Sequence, residues 1–456
     1  MNIATAPTAN PLLTAPILPT LLRLSLPNMA AMLATALVAV AETSYAGLLG
    51  TPALAGMALV FPMVMLQQMM SAGAMGGGVS SAISRVLGAG DEARAEALAV
   101  HAAIIGAVVG IAFTAFFLLL GPAIFRLLGG SGGALSEAIA YSNTVFLGAT
   151  VIWLANTLAS IVRGGGNMNA PSATLFAVAG FQVVLGGGLG LGLGPVPRLG
   201  MMGIALGQVI AYAGGALFLF WFLRSGNARV ALVFKRAAPS RAVFQDILRV
   251  GALACLSPLQ TVLTVLVLAR LVAYFGTEAL AGYGIGARLE FLLIPITFAI
   301  GVACVPLVGM AIGAGDVARA RRVAWTGGAV SALVAGTVGL VVAVLPDLWA
   351  TLFTREPAVL ESARSYLTWS GPGFAFYGLG LCLYFGSQGA GKMLGPVLVA
   401  TLRLALVGIG GWILAAANAP QWSIFALVGA AMAAYGIAMA LAVYCVRWGK
   451  IGRAHV

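Results

Sequence analysis

The segment Gly88-Ala-Gly-Asp-Glu-Ala-Arg-Ala95 recurs 225 residues later as Gly313-Ala-Gly-Asp-Val-Ala-Arg-Ala320. Other segments on either side of it recur at nearly the same offset. Thr51-Pro-Ala-Leu-Ala-Gly56 matches Thr277-Glu-Ala-Leu-Ala-Gly282 at an offset of 226. At the offset of 225, the chain pairs Gly164, Gly166, Met168 and Pro171 with Gly389, Gly391, Met393 and Pro396. The chain therefore contains an internal duplication, with two similar halves.

The composition of the chain excludes a soluble fold. Hydrophobic residues make up 61% of the sequence and charged residues 8%, whereas soluble domains average about 45–50% apolar and about 25% charged residues. This small polar fraction cannot cover a water-exposed globule of this size. We therefore expect the chain to lie in a lipid bilayer. The apolar stretches lack the alternation of a β-barrel strand, which favours transmembrane helices.

Hydropathy predicts twelve spans when the apolar stretches are cut at glycines, prolines and charge clusters. The first six lie near residues 24–49, 54–83, 97–120, 134–156, 170–193 and 201–223. The second six lie near residues 247–274, 279–312, 322–345, 358–385, 394–416 and 421–446. The predicted fold is an all-α polytopic membrane protein with twelve transmembrane helices in two pseudo-symmetric six-helix bundles. Because six spans separate the matched segments, the two bundles share one orientation.

The positions of the basic residues orient the chain. Most of the 24 lysines and arginines fall at one side of the predicted spans, the side that also holds both termini, which makes that side cytoplasmic. They are concentrated around the sixth-to-seventh connection, where the sequence has Arg224, Arg229, Lys235, Arg236, Arg241 and Arg249, and they include Lys450 and Arg453 near the end. The predicted regions are a cytoplasmic tail over 1–20, a first lobe over 21–224, a basic linker over 225–246, a second lobe over 247–446 and a tail over 447–456.

The same patterns argue against several other functions. A net charge of +12 suits nucleic acid, but its placement at span ends points to membrane topology and not to phosphate binding. The four cysteines and two histidines are scattered, so we expect no metal site and no cofactor. The first twenty residues contain no lysine or arginine, so a cleavable signal peptide is not expected.

In order and spacing, the matched segments resemble those of the multidrug and toxic compound extrusion (MATE) family of the MOP flippase superfamily, over about residues 20–446. In the first half the resemblance is carried by Glu42-Thr43 with 47–50 and 53–55, Ser84-Arg85 with 88–91, and Arg163-Gly164 with Pro171. In the second half it is carried by 277–282, 284–290 with Pro295, Gly309 with 313–316, and Gln388-Gly389 with Pro396. The resemblance implies a secondary transporter of the inner or plasma membrane, with an alternating-access cavity, that exports organic cations or amphiphilic drugs in exchange for protons or sodium ions.

Glu42 is an acid placed deep in a predicted span. It precedes Gly50 by eight residues, or about 12 Å of helix. An ionised carboxylate at that depth costs roughly 2.5–3.5 kcal/mol, so Glu42 must be protonated, paired or exposed to a wet cavity. The resemblance implies an ion-coupling role, because the family usually has Asp there. The alternative is a carboxyl held permanently by the backbone or by hydroxyls such as Thr43 and Ser44.

The fifth span departs from the family pattern, which generally has Asn and Asp where this chain reads Phe181-Gln182 and then Gly186. Gln182 keeps a carbonyl for ion coupling, whereas Gly186 removes an acid. The other branch of the family places acids in the seventh and tenth spans, and Gln260 and residues 368–385 supply none. Because a sodium site requires several oxygen ligands and preferably negative charge, proton coupling through Glu42 is favoured over sodium coupling.

Glu290 is the second acid within a predicted span and the third ion-coupling candidate. It follows Arg288 by two residues, so the two side chains point to different faces of the helix. Two roles remain open. Glu290 can bind a cation, or it can pair with Arg270 or Arg403 across the bundle.

The cavity wall should combine apolar and aromatic surface with a few polar groups, because lipophilic cations are held by burial and by aromatic faces. The candidates are Tyr45, Phe61, Gln67, Met69, Asn156, Gln260, Tyr283, Tyr377 and Arg403. Ordinary helix packing is the alternative for each of them, and Arg403 matches a basic position of the family that can be structural. The second span is the best lining candidate, because its methionines adapt to varied ligands.

The sequence gives less support to two other functions. A lipid-linked oligosaccharide flippase of the same superfamily would require clustered cations, and the four arginines within predicted spans, Arg270, Arg288, Arg364 and Arg403, are dispersed. A membrane-embedded enzyme would require a nucleophile with its base or paired carboxylates, and the sequence offers neither. Residues 386–392 begin like a phosphate-binding loop, but Met393 stands where Ser or Thr is needed. The partners we expect are small organic substrates, protons or sodium ions and the bilayer, with a monomeric transporter.

Overall fold

The computed structural model describes residues 11–234 and 240–448, and every regular element in these two ranges is helical. Lys235, Arg236, Lys450 and Arg453 of the predicted basic segments lie outside the described residues. In the first repeat the helices are α1 (Pro11–Thr14), α2 (Ile17–Leu49), α3 (Thr51–Gln68), a π-helical segment (Met69–Met75), α4 (Gly76–Gly88), α5 (Glu92–Leu127), α6 (Gly132–Leu147), α7 (Ala149–Gly164), α8 (Asn169–Leu191) and α9 (Gly200–Arg224).

The second repeat has the same kind of helices. They are α10 (Arg241–Ala254), α11 (Leu256–Ala273), α12 (Thr277–Gly313), α13 (Val317–Val344), α14 (Asp347–Ala350), α15 (Pro357–Ser370), α16 (Gly373–Gly389), α17 (Leu394–Ala416) and α18 (Gln421–Cys445). By length and composition, ten helical segments among the described residues can cross a membrane, and α6 with α7, bent by 47°, make an eleventh. The predicted all-helical membrane fold is confirmed; against the twelve predicted spans, ten or eleven segments of the described chain pass this test of length and composition.

The predicted tenth span, residues 358–385, accounts for the difference. It consists of α15 and α16, which have 14 and 17 residues and are separated at Gly371 and Pro372. Each is shorter than the roughly 20 residues of a complete span. Arg364 was predicted within this span, but its Nε bonds the Asp347 Oδ1 at 2.6 Å and both side chains are about half exposed. The chain breaks here because Pro372 cannot donate a backbone hydrogen bond.

The motif Gly-Ala-Gly-Asp, which occurs at residues 88–91 and 313–316, has the same local structure in both copies. Gly90 and Gly315 have φ values of +81° and +82°, a left-handed conformation that glycine adopts at little cost. The following aspartates cap the next helices: Asp91 Oδ1 accepts from the Arg94 N–H at 2.9 Å, and Asp316 Oδ1 accepts from the Arg319 N–H at 2.8 Å. The motif therefore ends one span, turns the chain and starts the next.

Equivalent helix contacts also recur in the two repeats. A Cβ atom on Gly56 would lie 2.7 Å from the Ala138 nitrogen, and one on Gly282 would lie 2.7 Å from the Ala363 nitrogen. Each pair of positions is related by the offsets read from the sequence. In both repeats a glycine thus allows the second helix of the repeat to approach the fourth at backbone distance.

Three apolar clusters hold the described helices together. One lies within the first repeat and includes the stacked rings of Phe117 and Phe146, whose centroids are 3.9 Å apart. The second lies within the second repeat and includes Phe374. The third combines residues of both repeats, such as Trp153 and Phe385, and is the largest. The two repeats therefore share one continuous apolar contact.

The repeats meet through glycines near the end of the bundle that carries the repeated basic motif, which we call the basic end. A Cβ on Gly88 would lie 2.1 Å from the Met310 oxygen, and one on Gly313 would lie 1.8 Å from the Arg85 oxygen. A Cβ on Gly78 would lie 2.6 Å from the Gly251 Cα. Gly77 and Gly78 therefore allow close packing on the opposite repeat, at Gln388 and Gly251.

The beginning of the described chain also contacts the second repeat. The Arg319 guanidinium donates to the Leu12 oxygen at 3.1 Å and to the Ala15 oxygen at 2.6 Å. Helix α2 begins at Ile17, inside the predicted tail. The part of residues 1–20 that the structure describes is thus packed on helix α13.

Candidate functional site

The Glu42 carboxyl is the centre of a buried site in the first repeat. Glu42 is 8% exposed, and its Oε1 accepts a hydrogen bond of 2.8 Å from the Gln182 Nε2 in α8. The Tyr141 hydroxyl in α6 lies within hydrogen-bonding reach of the same carboxyl. Helices α2, α6 and α8 therefore converge on one acid. The structure brings together two of the three predicted ion-coupling residues.

Tyr141 is a site residue that the sequence reasoning missed. The internal repeat holds the signal that could have found it, because Tyr141 and Tyr366 are separated by the same offset of 225 as the repeated motifs. In both repeats the hydroxyl of this tyrosine faces a carboxyl.

The hydroxyls beside Glu42 do not hold its carboxyl. Thr43 Oγ1 donates to the Ala39 oxygen at 2.7 Å, and Ser44 Oγ donates to the Val40 oxygen at 3.0 Å. Both hydroxyls therefore bond the backbone of their own helix. Within the described residues no lysine, arginine or histidine forms an ion pair with Glu42. Its carboxyl is buried with two neutral partners, an amide and a phenol.

A chain of buried polar side chains continues from this site. Gln68 Nε2 donates to the Tyr212 hydroxyl at 2.7 Å, and Asn156 Nδ2 donates to the Gln68 Oε1 at 3.0 Å and to the Ser71 Oγ at 2.8 Å. Farther along α7, Ser160 Oγ donates to the Asn156 oxygen at 2.7 Å. We call the following set the polar column: Tyr212, Gln68, Asn156, Ser71, Ser160 and Arg163.

Glu290 belongs to a separate site in the second repeat. Its Oε1 accepts a hydrogen bond from the Tyr366 hydroxyl of α15. The ring of Tyr283 packs edge-on against that of Tyr366, with centroids 5.3 Å apart. Glu290 makes no ion pair with Arg270 or Arg403 in the described part of the chain. The predicted ion-coupling residues therefore form two sites, one in each repeat.

Glu290 also lines a cavity of the second repeat. The other lining residues are Leu293, Ile294, Thr297, Ala335, Phe374, Tyr377 and Met432. The Arg403 guanidinium lies over the rings of Tyr377 and Tyr435, at 4.9 Å and 5.8 Å from their centroids. Two predicted cavity residues, Tyr377 and Arg403, are therefore in contact. Tyr377 and Glu290 line the same cavity, which is apolar and aromatic and contains one acid.

The remaining predicted cavity residues do not gather at either site. Tyr45 donates to the Val183 oxygen at 3.3 Å and packs on Gly187. Gln260 donates to the Thr401 Oγ1 at 2.7 Å. Gln67 is 1% exposed, and neither of its amide atoms has a partner among the residues that the structure describes. Phe61 is 41% exposed, and Met69 is half-buried in the π-helical segment.

The other titratable groups form no metal centre. No group of three or more His, Cys, Asp or Glu side chains with ligand geometry occurs among the described residues. Cys304 and Cys382 are both buried with sulfur atoms 3.7 Å apart, so they contact each other instead of lying singly as their spacing suggested. Arg288 lies over the ring of Phe353, with the guanidinium carbon 5.2 Å from the centroid.

Known proteins resemble the chain in sequence and in fold. A sequence model of the MatE family matches residues 27–186 and 254–414. The chain is 25% identical to a protein of Shewanella oneidensis named FAD transporter, over 78% of each chain. It is also 25% identical to a probable multidrug resistance protein NorM of Thermotoga maritima, over 84% of this chain and 82% of that one. The solved structure of a MOP superfamily transporter from Pyrococcus furiosus matches with a TM-score of 0.88 at 24% identity, over 95% of this chain and 96% of that chain.

Proposed function

Because the chain belongs to the MATE family of membrane transporters, we propose that it exports organic cations or amphiphilic drugs by proton antiport with alternating access. The family consists of transporters, so the expectation that the chain is not an enzyme is confirmed. The observation that carries the proposal is the buried Glu42 carboxyl with neutral partners. A permanent ion pair would fix its charge, whereas an amide and a phenol leave it free to gain and lose a proton.

The partners of Glu42 suit both of its charge states. A carboxylate accepts from the Gln182 amide nitrogen and from the Tyr141 hydroxyl. A protonated carboxyl instead donates one hydrogen bond, which the amide oxygen of Gln182 can accept after rotation of its side chain, or which the phenol oxygen can accept. Proton binding therefore leaves no buried group without a partner. It changes which hydrogen bonds join α2 to α6 and α8, and that change is the signal that the first repeat can use to rearrange.

The same geometry supports the proton over sodium as the coupling ion. The Gln182 amide donates its nitrogen to Glu42, and after rotation it could offer a sodium ion one amide oxygen. Gly186 supplies no side-chain ligand. A sodium ion would be left with few oxygen ligands around a single carboxylate, which is a poor site for a hard cation.

We propose that the residues lining the cavity of the second repeat form part of the substrate site. The cavity has a volume of about 10 Å³, room for about one water molecule, so a substrate enters only after the helices around it move apart. Tyr377 and Phe374 offer aromatic surface, Met432 is an adaptable thioether, and Glu290 supplies one carboxyl group, which attracts a cation when it is ionised. This combination suits a lipophilic cation, which is held by burial and by aromatic faces. Because the repeats pack tightly at the basic end, and basic ends face the cytoplasm, we propose that both termini are cytoplasmic and that the structure has its cytoplasmic side closed.

The proposed function can be tested in proteoliposomes. Efflux of a fluorescent organic cation is measured under imposed proton or sodium gradients, each applied alone. We expect the proton gradient to drive efflux and the sodium gradient to fail. Glu42→Gln should abolish the proton-driven efflux while substrate binding remains measurable. The matched control is Glu278→Gln, because Glu278 is an exposed acid at the start of α12. Full transport by Glu42→Gln would end the coupling role.

An anionic aromatic substrate is the second candidate, and Arg403 favours it. The Arg403 guanidinium lies over the rings of both Tyr377 and Tyr435. Its Nε has no hydrogen-bond partner among the described residues. Such an arginine can bind a phosphate or carboxylate while the aromatic rings hold a planar group. The similarity to a protein named FAD transporter points the same way. Competition of dye efflux by a flavin dinucleotide, compared with competition by an organic cation, separates the two.

The lipid-linked oligosaccharide flippase is the least supported alternative. Its pyrophosphate would require several arginines in one groove. Instead, Arg288 lies on Phe353 and Arg364 pairs with Asp347. The arginines predicted within spans therefore do not converge among the described residues.

A further inference from the structure

The polar column extends from the neighbourhood of Glu42 toward the basic end, inside the first repeat. At its upper end, the Tyr212 side chain is 4% exposed and lies close enough to both Glu42 and Arg163 to interact with their charges. Its hydroxyl oxygen accepts from Gln68, so its own proton remains available to a second partner. Among the described residues no direct hydrogen bond joins Tyr212 to Glu42, so a water molecule has to bridge the Glu42 site and the column.

The middle of the column crosses between helices. Asn156 of α7 donates both to Gln68 and to Ser71, which belong to the second span of the repeat. One amide group thus ties two polar side chains of a neighbouring helix. Asn156 was predicted to line the substrate cavity, and its contacts assign it to this column instead.

The lower end of the column reaches the basic end along α7. Arg163 follows Asn156 by seven residues on the same helix, which is about 10 Å of rise. Ser160 lies between them and packs against Gly76 of the neighbouring helix α4. Arg163 is 6% exposed, and its Nε has no partner within the described residues.

Unpartnered polar atoms flank the column. Both amide atoms of Gln67 and the Ser80 hydroxyl are buried without hydrogen-bond partners in the described part of the chain. Burying such a group without a partner costs about 1–3 kcal/mol, and buried water commonly satisfies groups of this kind. These atoms therefore mark positions on the second span of the repeat at which buried water can be held.

We propose that the polar column is the path by which Glu42 exchanges its proton with the cytoplasm, an inference that rests on the proposed proton antiport. The protonated carboxyl gives its proton to a water molecule beside the Tyr212 hydroxyl. Each water or hydroxyl along the column then passes one proton on as it receives another. The column returns to its starting protonation, and Glu42 becomes a carboxylate that Gln182 and Tyr141 stabilise.

This path has a mechanical consequence. It lies within the first repeat and not between the repeats, so proton and substrate use different routes on the cytoplasmic side. Transport stays coupled only if the column conducts in the state in which Glu42 is closed to the outside. The column deepens the proposed mechanism, because it gives the proton its own exit within the first repeat.

The test compares two kinds of transport in the same proteoliposomes. Proton-driven efflux of an organic-cation dye requires Glu42 to exchange protons with the cytoplasmic side. Exchange of dye for dye at equal pH on both sides requires only the substrate-loaded protein. Tyr212→Phe and Asn156→Leu should slow the driven efflux by about tenfold or more. Their dye exchange should stay within about twofold of the unchanged protein.

Tyr384→Phe is the matched control, because Tyr384 is a buried tyrosine outside the column whose hydroxyl bonds the Ala254 oxygen at 3.3 Å. It should leave the ratio of the two rates unchanged. A parallel fall of both rates in the column variants, or no fall in either, would overturn the proposal. If the unchanged protein shows no proton-driven efflux, the proposed function itself has failed, and that result is seen before any variant is compared.

Discussion

The Gln388 side chain of the second repeat donates from Nε2 to the Ala74 oxygen of the first repeat at 2.8 Å. Ala74 belongs to the π-helical segment Met69–Met75, where the hydrogen-bond ladder of the helix changes register. The same amide reaches the Gly73 oxygen at 3.3 Å, and Ser81 Oγ donates to the Gln388 oxygen at 2.5 Å. The irregular segment of the second span and a glutamine of the opposite repeat therefore form one buried junction between the repeats.

Removing the Gln388 amide should loosen this junction. Gln388→Met keeps the length of the side chain but leaves backbone oxygens of the first repeat without a donor, which costs about 1–3 kcal/mol. We expect a lower unfolding temperature in detergent and, with the exposed Cys445 replaced by Ser, faster labelling of the native Cys255, which lies in the apolar cluster shared by the two repeats. The control is Gln421→Met, because Gln421 bonds Ser362 within the second repeat. Equal labelling rates in both variants would show that Gln388 does not hold the repeats together.

A methyl group at Gly313 should separate the repeats. The added Cβ would lie 1.8 Å from the Arg85 backbone oxygen, so helix α12 must move away from α4. Gly284→Ala in the same helix is the control, because its Cβ would meet nothing within 4 Å. We expect Gly313→Ala to lower the unfolding temperature and to speed cysteine labelling at the basic end, and Gly284→Ala to change neither. The packing argument fails if the two alanine variants behave alike.

The repeated Gly-Asp motif predicts matched losses in the two repeats. Asp91→Ala and Asp316→Ala each remove the side chain that caps the following helix, at a cost of about 1 kcal/mol. Thermal unfolding in detergent should show similar decreases for both. Glu92→Ala is the control, since Glu92 is exposed and follows the cap. A decrease in only one repeat would mean that the two motifs are not equivalent in stability.

The sequence could predict the helical membrane fold and the duplication because both are expressed in local patterns. The length of an apolar stretch and the positions of its glycines can be read from a short segment of sequence. The Asp91 cap also depends only on nearby residues, because its side chain accepts from the N–H of Arg94. The sequence could not predict that the tenth predicted span is interrupted between α15 and α16, because hydropathy averages over Gly371 and Pro372, where the helix ends and begins again.

The candidate site was only partly predictable, because it depends on how helices rotate about their axes. Glu42 and Gln182 were found, since a buried acid and a polar residue stand out in apolar spans. Their contact, and that of Tyr141, depends on the faces that α2, α6 and α8 present to one another. Tyr212 resembles any other tyrosine in an apolar helix until its hydrogen bond with Gln68 is seen.

Glu290 should affect substrate binding more than proton coupling. It lines the cavity of the second repeat and bonds Tyr366, and among the described residues it forms no hydrogen bond with Glu42 or the polar column. Glu290→Gln keeps the hydrogen bond with Tyr366 but removes the charge that attracts a cation, so the dye Kd should rise by about tenfold, or roughly 1.4 kcal/mol. The pH dependence of efflux at saturating dye should keep its midpoint, because Glu42 still titrates. Thr297→Val is the control, since it alters the same cavity without changing its charge. A shifted midpoint with unchanged Kd would instead make Glu290 a second coupling acid, and it would place proton binding in both repeats.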